Sequence, residues 1–208
     1  SGMVFALQSV NSLREYGAEG VVGSVVAISL TREISPVFSA LKLAQQDVGP
    51  VHVAADIGCH SFATFEPFSL GHSILGYGMS LASRAGVSPM MQPRVISIMG
   101  DGGFWHNGLL TGVASAVLNR NDGVLVVMNN GYSSATGAQD LPSSAPTREG
   151  RGRGVDIEQT LKGMGVEHIS RVRTYDISTM MRTLKQAITS PAKASSASSG
   201  LGGAVTSR

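Results

Sequence analysis

Two apolar runs organise the middle of this chain, Arg94 to Met99 and Val124 to Met128, and each ends in a polar turn. The first run stops at Gly100-Asp101-Gly102 and the second at Asn129-Asn130. Between them, residues 108–120 carry the spacing of a helix. Strand, turn, helix, strand is a βαβ unit, which brings both turns to the carboxyl ends of neighbouring parallel strands. Upstream, Val37, Phe38, Leu41 and Ala44 predict a helix over 36–46, residues 51–55 a buried strand, and Ile74, Leu75, Met79 and Leu81 a helix within 69–85. Downstream, Asp156 can cap a helix over 157–164, a strand follows at 166–170, and Asp176 can cap a helix over 177–189. Residues 131–154 form a long polar loop. Strands alternating with helices predict an α/β fold, a doubly wound parallel sheet with helices on both faces.

Residues 1–34 show no clear pattern and form a separate N-terminal segment, while 35–189 read as one domain. Residues 190–208 are a Ser/Ala/Gly-rich tail in which 204–207 suggest a short final strand. The 208-residue length suits one α/β domain. A net charge of +2 is too small to argue for nucleic acid or a membrane surface. The arginines of 148–153 are interleaved with glycine and lack an aromatic platform, as in a solvated loop. Cys59 is the only cysteine, so the chain can form neither an internal disulfide nor a cluster held by four of its own thiolates. Residues 21–30, the longest N-terminal apolar run, are too short to cross a bilayer. No secretory signal pattern appears, and a cytoplasmic protein is expected.

The two turns change the picture most. Ligands of open α/β sheets bind at the carboxyl edge of the strands. Asp101 offers a carboxylate and the asparagine pair an amide oxygen, the hard donors that Mg²⁺ on a diphosphate takes. Gly102 and Gly103 let backbone N–H groups approach phosphate oxygens at a helix N-terminus. Either asparagine of the pair can present the amide oxygen. Cys59 fits both a buried apolar position and a pocket wall, and His106 both a proton-handling and a surface role.

Three segments narrow the chemistry: Ala55-Asp56-Ile57-Gly58-Cys59-His60, Gly100 to Gly108 with Phe104 and His106, and Ser134 to Gln139. In matching order across residues 35–189, they resemble the thiamine diphosphate (ThDP)-binding domain of indolepyruvate ferredoxin oxidoreductases, members of the 2-oxoacid:ferredoxin oxidoreductase family. The resemblance implies a ThDP-binding fold, with ThDP and Mg²⁺ as cofactors. It implies that Asp101 and Asn130 bind the metal by side chain and Tyr132 by its carbonyl. Gly100 would carry the turn, Gly102 and Gly103 would give N–H groups to the diphosphate, Gly58 and Cys59 would line the pocket, and Thr136 would place a hydroxyl on the diphosphate. His106 would be the candidate catalytic group. The implied reaction is oxidative decarboxylation of an aryl pyruvate, with electrons passed to iron–sulfur clusters and a ferredoxin.

Two departures are visible. The stretch 30–35 lacks the family's cysteine-rich segment, and Ala138 stands where the family has a histidine. A pyrimidine-type ThDP domain and the iron–sulfur partner are also missing, so the chain is expected to be one domain of a larger protein, inactive alone and associating as a homo-oligomer. The alternatives are a ThDP-binding module without catalysis of its own and part of a non-oxidative ThDP-dependent decarboxylase or lyase.

Overall fold

The computed structural model describes residues 35–91, 94–134, 137–146, 153–190 and 203–207. The expectations for residues 1–34 and for Thr136 lie outside them. Six strands form a single sheet in the order β2-β1-β3-β4-β6-β5, with every neighbouring pair parallel. They are β1 (Val53–Ala55), β2 (Ser73–Ile74), β3 (Ile96–Gly100), β4 (Val124–Met128), β5 (Ile169–Val172) and β6 (Gly203–Ser207).

Alternation along the strands feeds two cores. Ile96, Ile98, Val124 and Val126 pack on one face with helices α1 (Ser35–Val48) and α5 (Ile177–Thr189). Met99, Leu125 and Val127 pack on the other with α2 (Ser80–Val87), α3 (101–118) and α4 (Ile157–Gly163). Continuous apolar strands are what a sheet covered on both faces requires. The doubly wound arrangement expected from the sequence is therefore present. Both predicted caps form, with Asp156 accepting from the Gln159 N–H and Asp176 from the Thr179 N–H, each at 3.0 Å.

Three elements differ from the sequence expectation. The helix expected within 69–85 is only Ser80–Val87, because Ser69, Gly71 and Gly78 take positive φ and the His72 N–H donates to the Val53 carbonyl to start β2. The strand expected at 166–170 lies at Ile169–Val172, since Gly165 turns the chain and Val166 is buried against α4. The tail strand pairs with both β4 and β5, inside the sheet rather than at its rim.

Helix α3 begins at the Gly-Asp-Gly turn itself rather than at residue 108. It is α-helical at Asp101–Gly103, π-helical over Phe104–Ala114 and α-helical again at Ser115–Leu118. π-helical turns concentrate at functional sites. From β1 the chain moves out to β2 and then to β3 on the other side, so the direction of winding reverses between β1 and β3. Crevices open at such reversals, outside the carboxyl ends of the strands.

Candidate functional site

Asp56 follows β1, and Asp101 follows β3. Both carboxylates flank the crevice, at 0% and 2% exposure. Asp101 Oδ1 accepts from the Gly102 N–H at 3.0 Å, and Oδ2 accepts from the Gly131 N–H at 2.7 Å. One carboxylate thus ties the turn after β3 to the turn after β4. Burial pushes Asp101 up to about 6, and the N–H groups of Gly131 and Gly102 pull the other way.

Asp56 holds the segment after β2. Each of its oxygens accepts from the Gly78 N–H at 2.7 Å, and Oδ1 also faces the Met79 N–H at 3.4 Å. Burial likewise raises Asp56 to about 6. Neither acid forms an ion pair among the described residues. Two buried carboxylates without a cation are a costly arrangement. They suit a site that receives positive charge from a ligand.

The glycines are required by proximity. A Cβ at Gly103 would lie 2.0 Å from Asp56 Oδ2, and one at Gly102 would lie 2.2 Å from the Tyr77 hydroxyl. Gly78 needs its φ of 77°, and a Cβ there would meet the Gly103 carbonyl at 2.6 Å. Gly58 is buried, with the His60 ring over it, and the same ring approaches Gly100. His60 is 4% exposed, and burial holds it down at about 4.

The structure brings most of the expected residues together. Gly58, Cys59, Gly100, Asp101, Gly102, Gly103, Asn130 and Tyr132 all lie at the carboxyl ends of β1, β3 and β4. Cys59 is half-buried, with its Sγ 3.7 Å from Ser134 Oγ. Asn130 is exposed, and its Oδ1 accepts from the Tyr132 N–H at 3.2 Å, which turns the loop on itself. His106 is exposed on α3, its ring 5.1 Å from that of Tyr77. Ala138 takes a φ of 55°. That left-handed conformation costs an alanine about 1–2 kcal/mol.

Asp56, Tyr77 and Ser133 are the site residues that sequence reasoning missed. The Tyr77 hydroxyl lies 2.7 Å from Ser133 Oγ. Burial raises the Tyr77 phenol, the Ser133 hydrogen bond lowers it, and the nearby Asp56 and Asp101 charges raise it further. The long loop after β4 is tied down where it is described. Ser133 and Gln139 form an antiparallel bridge, Trp105 Nε1 donates to Ser143 Oγ at 2.8 Å, and the Ser144 hydroxyl donates to the Gly131 carbonyl at 2.5 Å.

The chemistry of this donor set fits a metal-bound diphosphate. Each Asp101 oxygen keeps a lone pair beyond its N–H partner, and the exposed amide of Asn130 follows the neighbouring strand β4.

Known proteins agree with this geometry. The family model "Thiamine pyrophosphate enzyme, C-terminal TPP binding domain" matches residues 56–196. The chain is 30% identical over 148 residues to "Indolepyruvate oxidoreductase subunit IorA" of Thermococcus kodakarensis, covering 64% of this chain and 23% of that protein. It thus spans about a quarter of the length of such relatives. The 2-oxoglutarate:ferredoxin oxidoreductase from Magnetococcus marinus superimposes with a TM-score of 0.68 at 16% identity, over 84% of this chain and 61% of that one, which is a likeness of fold. The N-terminal part is similar to something else. The family model "Permease MlaE" matches residues 1–62, and a "Probable ABC transporter permease protein" of Rickettsia bellii is 45% identical over 58 residues, 28% of this chain and 22% of that protein.

Proposed function

This chain belongs to the family of C-terminal TPP-binding domains of thiamine pyrophosphate enzymes, and from that premise we propose that it holds ThDP and Mg²⁺ in a 2-oxoacid:ferredoxin oxidoreductase. The substrate is indolepyruvate or a related aryl pyruvate, a choice supported by the names of the IorA relatives. The observation that carries the reading is the buried Asp101 carboxylate, which joins the Gly-Asp-Gly turn to the loop of the asparagine pair through the Gly131 N–H.

Asp101 and Asn130 bind Mg²⁺ by side chain and Tyr132 by its carbonyl. Gly102 and Gly103 donate backbone N–H groups to the diphosphate after the turn at Gly100. Gly58 and Cys59 wall the crevice, and the Thr136 hydroxyl, outside the described residues, contacts the diphosphate. His106, exposed beside Tyr77, is the candidate catalytic group. The bound cofactor supplies the carbanion chemistry of oxidative decarboxylation.

The remaining parts come from partners. A pyrimidine-type ThDP domain completes the cofactor site, and an iron–sulfur or ferredoxin partner takes the electrons, because one cysteine cannot hold a cluster alone. Leu75, Leu110 and Leu118 are 71%, 73% and 81% exposed, apolar side chains open to contact with that domain or with a second copy in a homo-oligomer. No helix among the described residues is long and apolar enough to cross a membrane.

The permease-like segment does not alter this reading. Its described helix, α1, buries Val37, Phe38, Leu41 and Ala44 in the core of the α/β domain. A second reading, a ThDP-binding module without turnover of its own, is favoured by Ala138, which stands where the resemblance implies a histidine.

Titration calorimetry with ThDP tests the proposal. Binding should require Mg²⁺, and binding that ignores Mg²⁺ would sink the metal–diphosphate site. Adding aryl pyruvate and a viologen dye separates the two readings. The lone chain should not reduce the dye, whereas supplying the partner domain should restore reduction; persistent inactivity then favours the binding module.

A further inference from the structure

We propose that Tyr77 is a positioning residue for the diphosphate end of the cofactor, its hydroxyl forming with Ser133 a strap across the turn after β3. The inference rests on the ThDP reading above and adds to it two residues that no motif of the chain points to.

The strap lies directly on the turn. A Cβ at Gly102 would meet the Tyr77 hydroxyl at 2.2 Å and Ser133 Oγ at 2.9 Å, so both oxygens sit over the second residue of the Gly-Asp-Gly element. Their 2.7 Å hydrogen bond joins the segment after β2 to the loop after β4, across the intervening β3 turn. The chain on the Tyr77 side cannot drift. Its neighbour Gly78 is held by Asp56 at 2.7 Å and pressed against the Gly103 carbonyl. The Tyr77 ring is further backed by His106, 5.1 Å away on α3. Anchors from β1, α3 and the β4 loop thus converge on Tyr77 and its neighbour Gly78.

A neutral hydroxyl pair at a half-buried rim adds little to a fold whose two apolar cores are already closed. It does set the distance between the two loops whose backbone groups face the ligand. Holding them together beforehand lowers the ordering cost of binding. Being uncharged, the pair adds a phosphate-compatible donor without competing with Asp101 for the metal.

The test is calorimetric titration of the full chain with ThDP and, separately, with inorganic pyrophosphate, both in Mg²⁺. The variants are Tyr77→Phe, Ser133→Ala, their double, Ser133→Thr and Tyr77→Leu. Each single hydroxyl deletion should weaken both ligands about five-fold, the size of one hydrogen bond. The double should be no weaker than either single, because one bond is lost once. Ser133→Thr should bind as wild type, and Tyr77→Leu should lose more than Tyr77→Phe by removing the ring behind the hydroxyl as well. The melting temperature of the ligand-free protein should move by less than about 3 °C in the hydroxyl deletions. Additive losses, unchanged affinities, or a fall in melting temperature with affinity intact would overturn the strap. Failure of the wild type to bind either ligand would overturn the ThDP reading and the strap with it, whereas wild-type binding with unaffected variants overturns the strap alone.

Discussion

The two ends of the same sheet are built on opposite electrostatic plans. At the amino end, arginines find acceptors. Arg84 is buried at 0% exposure and donates to the Asp122 carbonyl and to Ser88 Oγ. Arg94 pairs with the Asp122 carboxylate at 2.7 Å and donates to the Ala187 carbonyl and to Ser190 Oγ. At the carboxyl end, Asp56 and Asp101 are equally hidden but meet only N–H donors. The first arrangement, though Nε and Nη2 of Arg84 are buried without a partner, meets acceptors within the chain and serves the fold. The second leaves negative charge unbalanced, which disfavours the empty protein and favours a cation. The difference separates residues that hold the sheet from residues that work on it.

Arg84→Ala should produce the largest change. It removes a buried side chain and strands the Asp122 carbonyl, so denaturant unfolding should show a loss of about 3 kcal/mol. Its affinity for ThDP·Mg²⁺ should stay within about two-fold, because additivity holds for distant sites. A loss of affinity without a loss of stability would erase the distinction between the two ends.

Asp101→Asn comes next and should do the reverse. If the proposed metal site holds, removing this charge should weaken Mg²⁺-dependent ThDP binding by more than about tenfold, or about 1.4 kcal/mol, in calorimetry. The empty protein should change in stability by no more than about 1 kcal/mol, since losing one of the two N–H acceptors offsets removal of a costly buried charge. Equal affinities in the two proteins would remove Asp101 from the metal site.

A smaller effect follows from pH. Asp56 is raised from 3.8 to about 6 in the fold, so the folded state holds a proton that the unfolded state has released. Stability of the ligand-free protein is therefore fully present below about pH 4. It declines as pH rises toward 6, by something on the order of 1 kcal/mol. Denaturant melts between pH 4 and 7 would show the slope, and Asp56→Asn should roughly halve it, because Asp101 is raised to about 6 as well. A rise in stability over that window would contradict the assigned burial.

The least effect belongs to the Lys185–Asp47 pair, 2.8 Å apart and solvent-exposed. Lys185→Ala should change stability by less than about 0.5 kcal/mol. A larger thermal shift would show that the contact between α1 and α5 depends on this ion pair rather than on its apolar packing.

Much of this was legible in the residues. β3 and β4 are continuous apolar runs, and the turns that end them carry the donor chemistry within a few positions, so the chain alone identified the ThDP-binding family and the parallel sheet, with Asp101 at the carboxyl end of β3. The caps at Asp156 and Asp176 are equally local, each closing on an N–H three residues ahead. What sequence could not supply was distance. Tyr77 and Ser133 are separated by 56 positions, and Asp56 and Gly78 by 22, and no periodicity links them. The segment 69–85 misled because its apolar spacing is helical, whereas positive φ at Gly71 and Gly78 and pairing with β1 decide its shape. The tail strand shows the same limit. Its apolar character predicts a strand, but only packing between β4 and β5 could set it inside the sheet, because strand order is decided by which faces are buried together and not by order along the chain.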